Sequence, residues 1–155
     1  MARAPFQVLV LPYRSTDNGD YEFAVFSRSD YDCWQGIAGG GENGETPLQA
    51  AQREALEEAD IPAGCVFLPL ASVASVPVTC FSQSHLWGDD TYVIPEYSFG
   101  VDATRASIAV SGEHREFRWM LFSQAESVLT YDSNRVALWE LNQRIRGLGP
   151  RDRQT

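Results

Sequence analysis

Residues 39–61 read Gly39-Gly40-Gly41-Glu42-Asn43-Gly44-Glu45-Thr46-Pro47-Leu48-Gln49-Ala50-Ala51-Gln52-Arg53-Glu54-Ala55-Leu56-Glu57-Glu58-Ala59-Asp60-Ile61. A glycine-rich stretch gives way here to a helical pattern. Thr46 is a good N-cap because its hydroxyl can accept from a backbone N–H of the first turn. Pro47 suits the first helical position, and Gln49 completes a T-x-x-Q capping box. Leu48, Ala51, Ala55 and Ala59 recur at helical spacing and form one apolar stripe. A helix from about Thr46 to Ala59 is expected. Asp60 falls just past its end, where a left-handed conformation is often needed and Asp tolerates it better than most residues.

Helical periodicity brings Glu54, Glu57 and Glu58 onto one face, expected to lie opposite the apolar stripe. Each like-charge pair costs roughly 0.2–0.5 kcal/mol without a counter-ion. The negative end of the helix dipole adds to the cost. Arg53 can offset part of it through its i,i+4 partner Glu57. A hard divalent cation is the natural compensation, since Mg²⁺ takes oxygen ligands and is usually held by a few carboxylates plus substrate phosphates. Acidic clusters on helices are more often solvated faces. The preceding loop, Gly39 to Glu45, shifts that balance, because flexible backbone there would let carbonyls and amides approach a metal or a phosphate. It is not a Walker A loop, because no Gly-Lys-Ser/Thr follows.

Upstream, Phe6 to Leu11 is rich in β-formers and reads as a buried strand. Asp17-Asn18-Gly19-Asp20 is a turn and Tyr21 to Phe26 a second strand, so the two are expected to pair as a hairpin. Trp34 to Ala38 reads as a short strand leading into the glycines. Downstream, Cys65–Val78 and Thr91–Val101 are mostly β-like, interrupted by prolines at 69, 77 and 95. Glu116 to Phe122 reads as another strand, Ser123 to Leu129 as a short helix, and Ser133 to Leu148 as a longer one with Leu138, Leu141, Ile145 and Leu148 on one side. Pro150 to Thr155 is polar and expected to fray. This order predicts an α/β chain of the α+β type, a mixed sheet between helical layers. With 155 residues and no long linker or repeat, one domain over 1–155 is expected.

Composition narrows the partners. Net charge is −9, from 21 acidic and 12 basic residues, a surface that repels a phosphate backbone and argues against a nucleic-acid partner. No run approaches the roughly 18 apolar residues of a membrane helix, and the N-terminus does not read as a signal peptide. A cytoplasmic protein is expected, with no membrane partner. Cys33, Cys65 and Cys80 show no CxxC pairing and read as free, partly buried thiols. His85 and His114 make no two-histidine metal motif and read as surface or hydrogen-bonded histidines.

The opening stretch resembles the Nudix hydrolase signature, G-x5-E-x7-R-E-U-x-E-E-x-G-U with U a bulky aliphatic residue. Here Gly39, Glu45, Arg53, Glu54, Glu57 and Glu58 stand at the matching positions. Ala55 is smaller than usual, and Asp60 replaces the second glycine. The resemblance implies the Nudix fold. It also implies that Glu54, Glu57 and Glu58 bind Mg²⁺ (Mn²⁺ substituting), with the carbonyl of Ala38 completing the set. Arg53 would orient Glu57 or Glu54, and Glu45 would support the site from the helix start. Trp34-Gln35-Gly36-Ile37-Ala38-Gly39 is similar to the WQS-V-T-G segment of the dATP pyrophosphohydrolase and dihydroneopterin triphosphate pyrophosphatase branch. Glu113-His114, Trp119 and Asp132-Ser133-Asn134-Arg135 also resemble that branch, which implies Glu113 as a further metal ligand. Either Glu54 or Glu113 would be the general base.

A small nucleotide or pterin triphosphate is the substrate so implied, with Gly39, Gly40, Arg28, Trp34 and Arg135 as candidate contacts. Tyr92, Tyr97, Phe99 and Trp119 are further aromatic residues able to stack on a ring, although aromatic residues in strands are more often core. The signature recognises a diphosphate and not what is attached to it. A nucleotide sugar or ADP-ribose therefore remains an alternative, as does a non-catalytic Nudix-like module. Oligomeric state is left open.

Overall fold

The hub of the computed structural model is β1 (Arg3–Ser15), which three other strands use as a partner. Residues 2–153 are described, apart from the side chain of Arg115. β1 pairs antiparallel with β2 (Tyr21–Arg28) and β4 (Ile37–Glu42), and parallel with β6 (Val93–Asp102). β3 (Trp34–Gln35) and β7 (His114–Met120) both pair with β2, and β5 (Phe67–Pro77) pairs with β6. The result is one mixed seven-stranded sheet.

Period-2 alternation divides the core into two layers. Val8, Val10, Ala24 and Phe26 pack beneath α1 (Pro47–Ala59). Leu9, Leu11, Phe23 and Val25 pack on the other face against α2 (Phe122–Val128) and α3 (Asp132–Ile145). The sheet is thus sandwiched between helices, as expected, and the β1–β2 hairpin forms with Tyr13 opposite Phe23.

Four details differ from the sequence reading. Gly39, Gly40 and Gly41 are not flexible loop but the body of β4, in register with β1 (Gly39 with Val8, Gly40 with Gln7). The turn comes later, where Gly44 adopts φ +88°. Leu48 is 39% exposed, and the buried ridge of α1 is Ala51, Ala55 and Ala59, flanked by Ala50, Glu54 and Glu58. The final strand starts earlier, at His114, and Phe122 already begins α2. α3 stops at Ile145, because the chain turns at Gly147 (φ +70°) and leaves Leu148 beyond the helix.

The expected fraying of Pro150–Thr155 falls partly outside the described residues. Within them, the Gln143 side chain donates to the carbonyls of Gly149 and Asp152, each at 2.9 Å. No described helix is long and apolar enough to cross a membrane.

Candidate active site

The helix start forms as its residues dictate. Thr46 Oγ1 accepts from Gln49 N at 3.2 Å, and Gln49 Oε1 accepts from Thr46 N at 2.9 Å, closing the capping box. At the other end Asp60 takes φ 57°, ψ 34°, and its N–H caps the last turn.

Between these ends the alanine ridge lets α1 sit close to the sheet, which draws two of the three glutamates inward. Glu54 is 8% exposed and Glu58 5%, whereas the Glu57 side chain is 58% exposed. The three therefore do not share a solvated face opposite the apolar stripe. Glu54 and Glu58 border the buried ridge, and Glu57 stands at its rim. Gly39 makes this burial possible, since a Cβ there would lie 2.1 Å from the Glu54 carboxyl carbon. The glycine is needed for close approach rather than for flexibility.

Arg53 ties the row together. Its Nε and Nη2 donate to the two oxygens of Glu45 at 2.8 and 3.0 Å, the bidentate pairing a guanidinium favours. Nη1 donates to Glu54 at 2.8 Å and Glu57 at 3.3 Å, and Nη2 reaches the Gly40 carbonyl at 2.8 Å. Arg53 thus bridges helix and strand, and its carboxylate partners hold it firmly protonated. Glu45 in turn accepts from Glu42 N at 2.8 Å. The Arg53 hydrogen bond holds the Glu45 carboxyl below its ordinary range. The Glu45–Arg53 spacing is therefore a clamp across the first two turns.

Glu113 and His114 arrive from the far end of the chain. The loop before β7 is anchored on α1, with Ala109 N donating to Ala59 O at 3.1 Å and Ser111 N to Glu58 O at 3.0 Å. β7 carries one extra residue between its pairings with Ser27 and Arg28, a bulge that redirects the chain there. As a result Glu58, Glu113 and His114 each bring a donor atom within 4.8 Å of the others. His114 is buried and shares a 3.0 Å hydrogen bond with Glu58. Burial lowers the His114 pKa, which favours the neutral ring. It is hydrogen-bonded, as expected of such a histidine, but its partner is a site carboxylate, which sequence spacing did not reveal.

Electrostatics make the cluster conspicuous. Burial raises the Glu54 carboxyl. The Glu58 carboxyl is pushed up to about 10, first by burial and then by Glu113 and Glu54. Removing an ion from water costs several kcal/mol even after relaxation, far more than the few tenths of a surface like-charge pair. Arg53 pairs with Glu42, Glu45, Glu54 and Glu57, and among the described residues no arginine pairs with Glu58 or Glu113. A carboxylate-rich cluster short of positive charge suits a hard divalent cation.

On the opposite face of the sheet, next to Ala38, a cleft of 540 Å³ opens between β1, β5, β6 and the start of α3. Gln7, Gln35 and Glu96 give it a polar base, with Tyr31, Phe81 and Tyr131 around them. Arg28 lines it too, but is committed to Asp30 through two bonds of 2.7 Å.

Trp34 does not line this cleft. It packs on the core layer under α3, with the Arg118 guanidinium 5.8 Å from its ring. Arg135 is turned away, bonding to Leu129 O and Asp132. Tyr97, Phe99 and Trp119 belong to the α1-side core, and Tyr92 is exposed and does not line the cleft. Gly40 lies beneath the guanidinium of Arg3, which also faces the Phe81 ring at 5.1 Å. Arg3, like Glu96 and Gln7, was not singled out by sequence. Isolated polar residues in strands carry no motif.

A mixed sheet between helices, with a glycine strand backing a row of helix carboxylates, is the architecture of a hydrolase acting on acid anhydrides in phosphorus-containing compounds. The NUDIX domain model matches residues 7–139, and the chain belongs to that family. The structure is similar to a candidate NUDIX hydrolase from Listeria monocytogenes (TM-score 0.84, 42% identity, 93% of this chain and 96% of that one covered). It is also similar to the E. coli dihydroneopterin triphosphate pyrophosphohydrolase (TM-score 0.72, 25% identity, 92% and 99% covered). A C. elegans Ap4A hydrolase shares the fold at 18% identity (TM-score 0.68, 94% and 100% covered). Comparison with curated proteins found no match.

Proposed function

We propose that the chain is a Mg²⁺-dependent pyrophosphohydrolase, with Mn²⁺ able to substitute. Its substrate is a nucleoside triphosphate-like molecule of the dATP or dihydroneopterin triphosphate type, cut to monophosphate and pyrophosphate. The observation that carries this reading is the buried, under-neutralised carboxylate row at Glu54 and Glu58, extended by Glu57 and Glu113. The similarity to a dihydroneopterin triphosphate pyrophosphohydrolase supports the substrate type.

Glu54, Glu57, Glu58 and Glu113 would hold the cation, with the Ala38 carbonyl as a further oxygen donor. When bound, the cation supplies charge neutralisation at the diphosphate and acidifies a water. The protein's own groups do the rest. Arg53, clamped by Glu45, holds the Glu54 carboxylate in one orientation. His114 fixes the Glu58 carboxyl from behind. Glu54 or Glu113 accepts the proton of the attacking water. Glu113 is the more exposed of the two and sits on a loop. The cleft beside Ala38 receives the ring, and Arg3 offers a cation toward the phosphates.

The test is Mg²⁺-dependent pyrophosphate release from several nucleoside triphosphates and dihydroneopterin triphosphate, with product analysis. We expect activity that vanishes in EDTA and returns with Mg²⁺ or Mn²⁺. Turnover confined to a nucleotide sugar or ADP-ribose would overturn the substrate type and leave the hydrolase intact.

A further inference from the structure

We propose that Glu96 selects the ring, reading the N–H and NH₂ edge of a 2-amino-4-oxopyrimidine, the chemistry shared by guanine and pterin. This assignment deepens the pyrophosphohydrolase reading and rests on it.

Glu96 is on a central strand, 6% exposed, yet it lines the cleft. A carboxylate at such a position needs donors, because an ionised carboxylate is acceptor-only with about four lone-pair sites. It has one. Gln7 Nε2 donates to Oε2 at 2.5 Å, and no described residue bonds to Oε1. No basic side chain pairs with Glu96 among the described residues. Burial raises the carboxyl, and the single Gln7 hydrogen bond offsets only part of that lost solvation. The fold does not need this acid, for Ser98 and Ile94 on the same strand are buried without charge.

Position argues for a ring contact. Gly40, Gln7, Glu96 and Ala74 form one lateral row across β4, β1, β6 and β5. Gly40 is the residue whose carbonyl binds Arg53, so one end of the row abuts the carboxylate site. Adjacent strands lie about 4.8 Å apart, which puts Glu96 about two strand spacings, roughly 10 Å, from that end. A nucleoside spans such a gap between its 5′-phosphate and its ring edge. Around Glu96 the cleft offers flat or apolar partners for the ring faces, namely Tyr31, Tyr131, Phe81, Pro77 and Val76.

The donor pattern then selects the ring. Guanine and pterin present a ring N–H beside an exocyclic NH₂, two parallel donors that match the two oxygens of a carboxylate as a guanidinium does. Hypoxanthine keeps only the ring N–H. Adenine presents one amine beside an acceptor nitrogen, whose lone pair would face a carboxylate oxygen.

The experiment compares kcat/KM for GTP, dGTP, ITP, ATP and dihydroneopterin triphosphate on the wild-type protein and Glu96→Gln, and measures binding of GMP, IMP and AMP to both by calorimetry. We expect GTP or dihydroneopterin triphosphate to exceed ITP by at least about 10-fold, since a site built for the exocyclic NH₂ rejects the analogue lacking it. Whichever of the two exceeds the other names the source of the ring. Glu96→Gln should erase that margin and favour ATP, because an amide offers one acceptor and one donor. Rates on both GTP and dihydroneopterin triphosphate no higher than on ITP, or a wild-type preference for ATP, would overturn the role of Glu96. If no triphosphate is cleaved, the activity reading fails by itself, and binding decides. GMP bound more tightly than IMP, and not so in Glu96→Gln, upholds the ring assignment. Equal or absent binding overturns it.

Discussion

The two faces of the sheet carry different kinds of site. On the α1 face, all but Glu113 and His114 of the site residues fall in a single stretch, Ala38 to Glu58. On the α3 face, the cleft draws Gln7 from β1, Gln35 from β3, Glu96 from β6 and Asn134 from α3. A local site can be read from spacing, because helical geometry turns sequence distance into spatial distance. A dispersed one depends on which strands become neighbours. Gln7 and Glu96 are 89 positions apart and meet only through the parallel β1–β6 pairing.

The largest effect is expected at Glu57. Glu57→Gln should cut turnover by more than about 100-fold with the fold intact, beyond a typical loss for a supporting residue. Wild-type-like turnover in that variant would remove Glu57 from the site. Gly39→Ala sharpens the point that β4 must be bare beneath α1. Its Cβ would displace only the carboxyl end of the Glu54 side chain, so activity should fall by about 30-fold while the melting temperature changes by no more than a few degrees. A variant that unfolds instead would mean that the glycine serves packing alone.

Glu113 is brought to the α1 face, together with His114, from the far end of the chain. We expect Glu113→Gln to lower kcat by about 10-fold at saturating Mg²⁺, within the range of lost proton transfer or ligand support. No loss would make it an ordinary surface acid.

The smallest effect concerns pH. Glu58 is raised from 4.5 to about 10, so over that interval the folded chain retains a proton that the unfolded chain has released. Stability therefore falls as pH rises through the interval. Between pH 7 and 9 the metal-free melting temperature should decline, and saturating Mg²⁺ or Glu58→Gln should flatten the trend. Scanning fluorimetry with and without Mg²⁺ checks this, and a flat metal-free profile would contradict the burial argument.

Much of the α1 face was legible. The capping box, the helix span, the Arg53–Glu57 pair and the left-handed Asp60 all follow from local rules. What misled was the glycine run. Without side chains it shows no alternation, so a strand looked like a loop. Leu48 shares the spacing of the apolar stripe yet stays exposed, because a helical stripe specifies spacing but not which angular sector meets the sheet. The small alanines shifted that sector toward Ala50, Glu54 and Glu58. His114 looked bland since its partner Glu58 lies 56 positions away and is brought to it by loop anchoring.

The helix, its ends and the order of its charged residues follow from local sequence, because they depend on interactions within a few positions. Which carboxylates lose their water, which strand lies bare beneath them, and which polar side chains meet in the cleft are set by packing across the fold. Burial and strand adjacency are properties of packing between distant segments, and no local pattern encodes them.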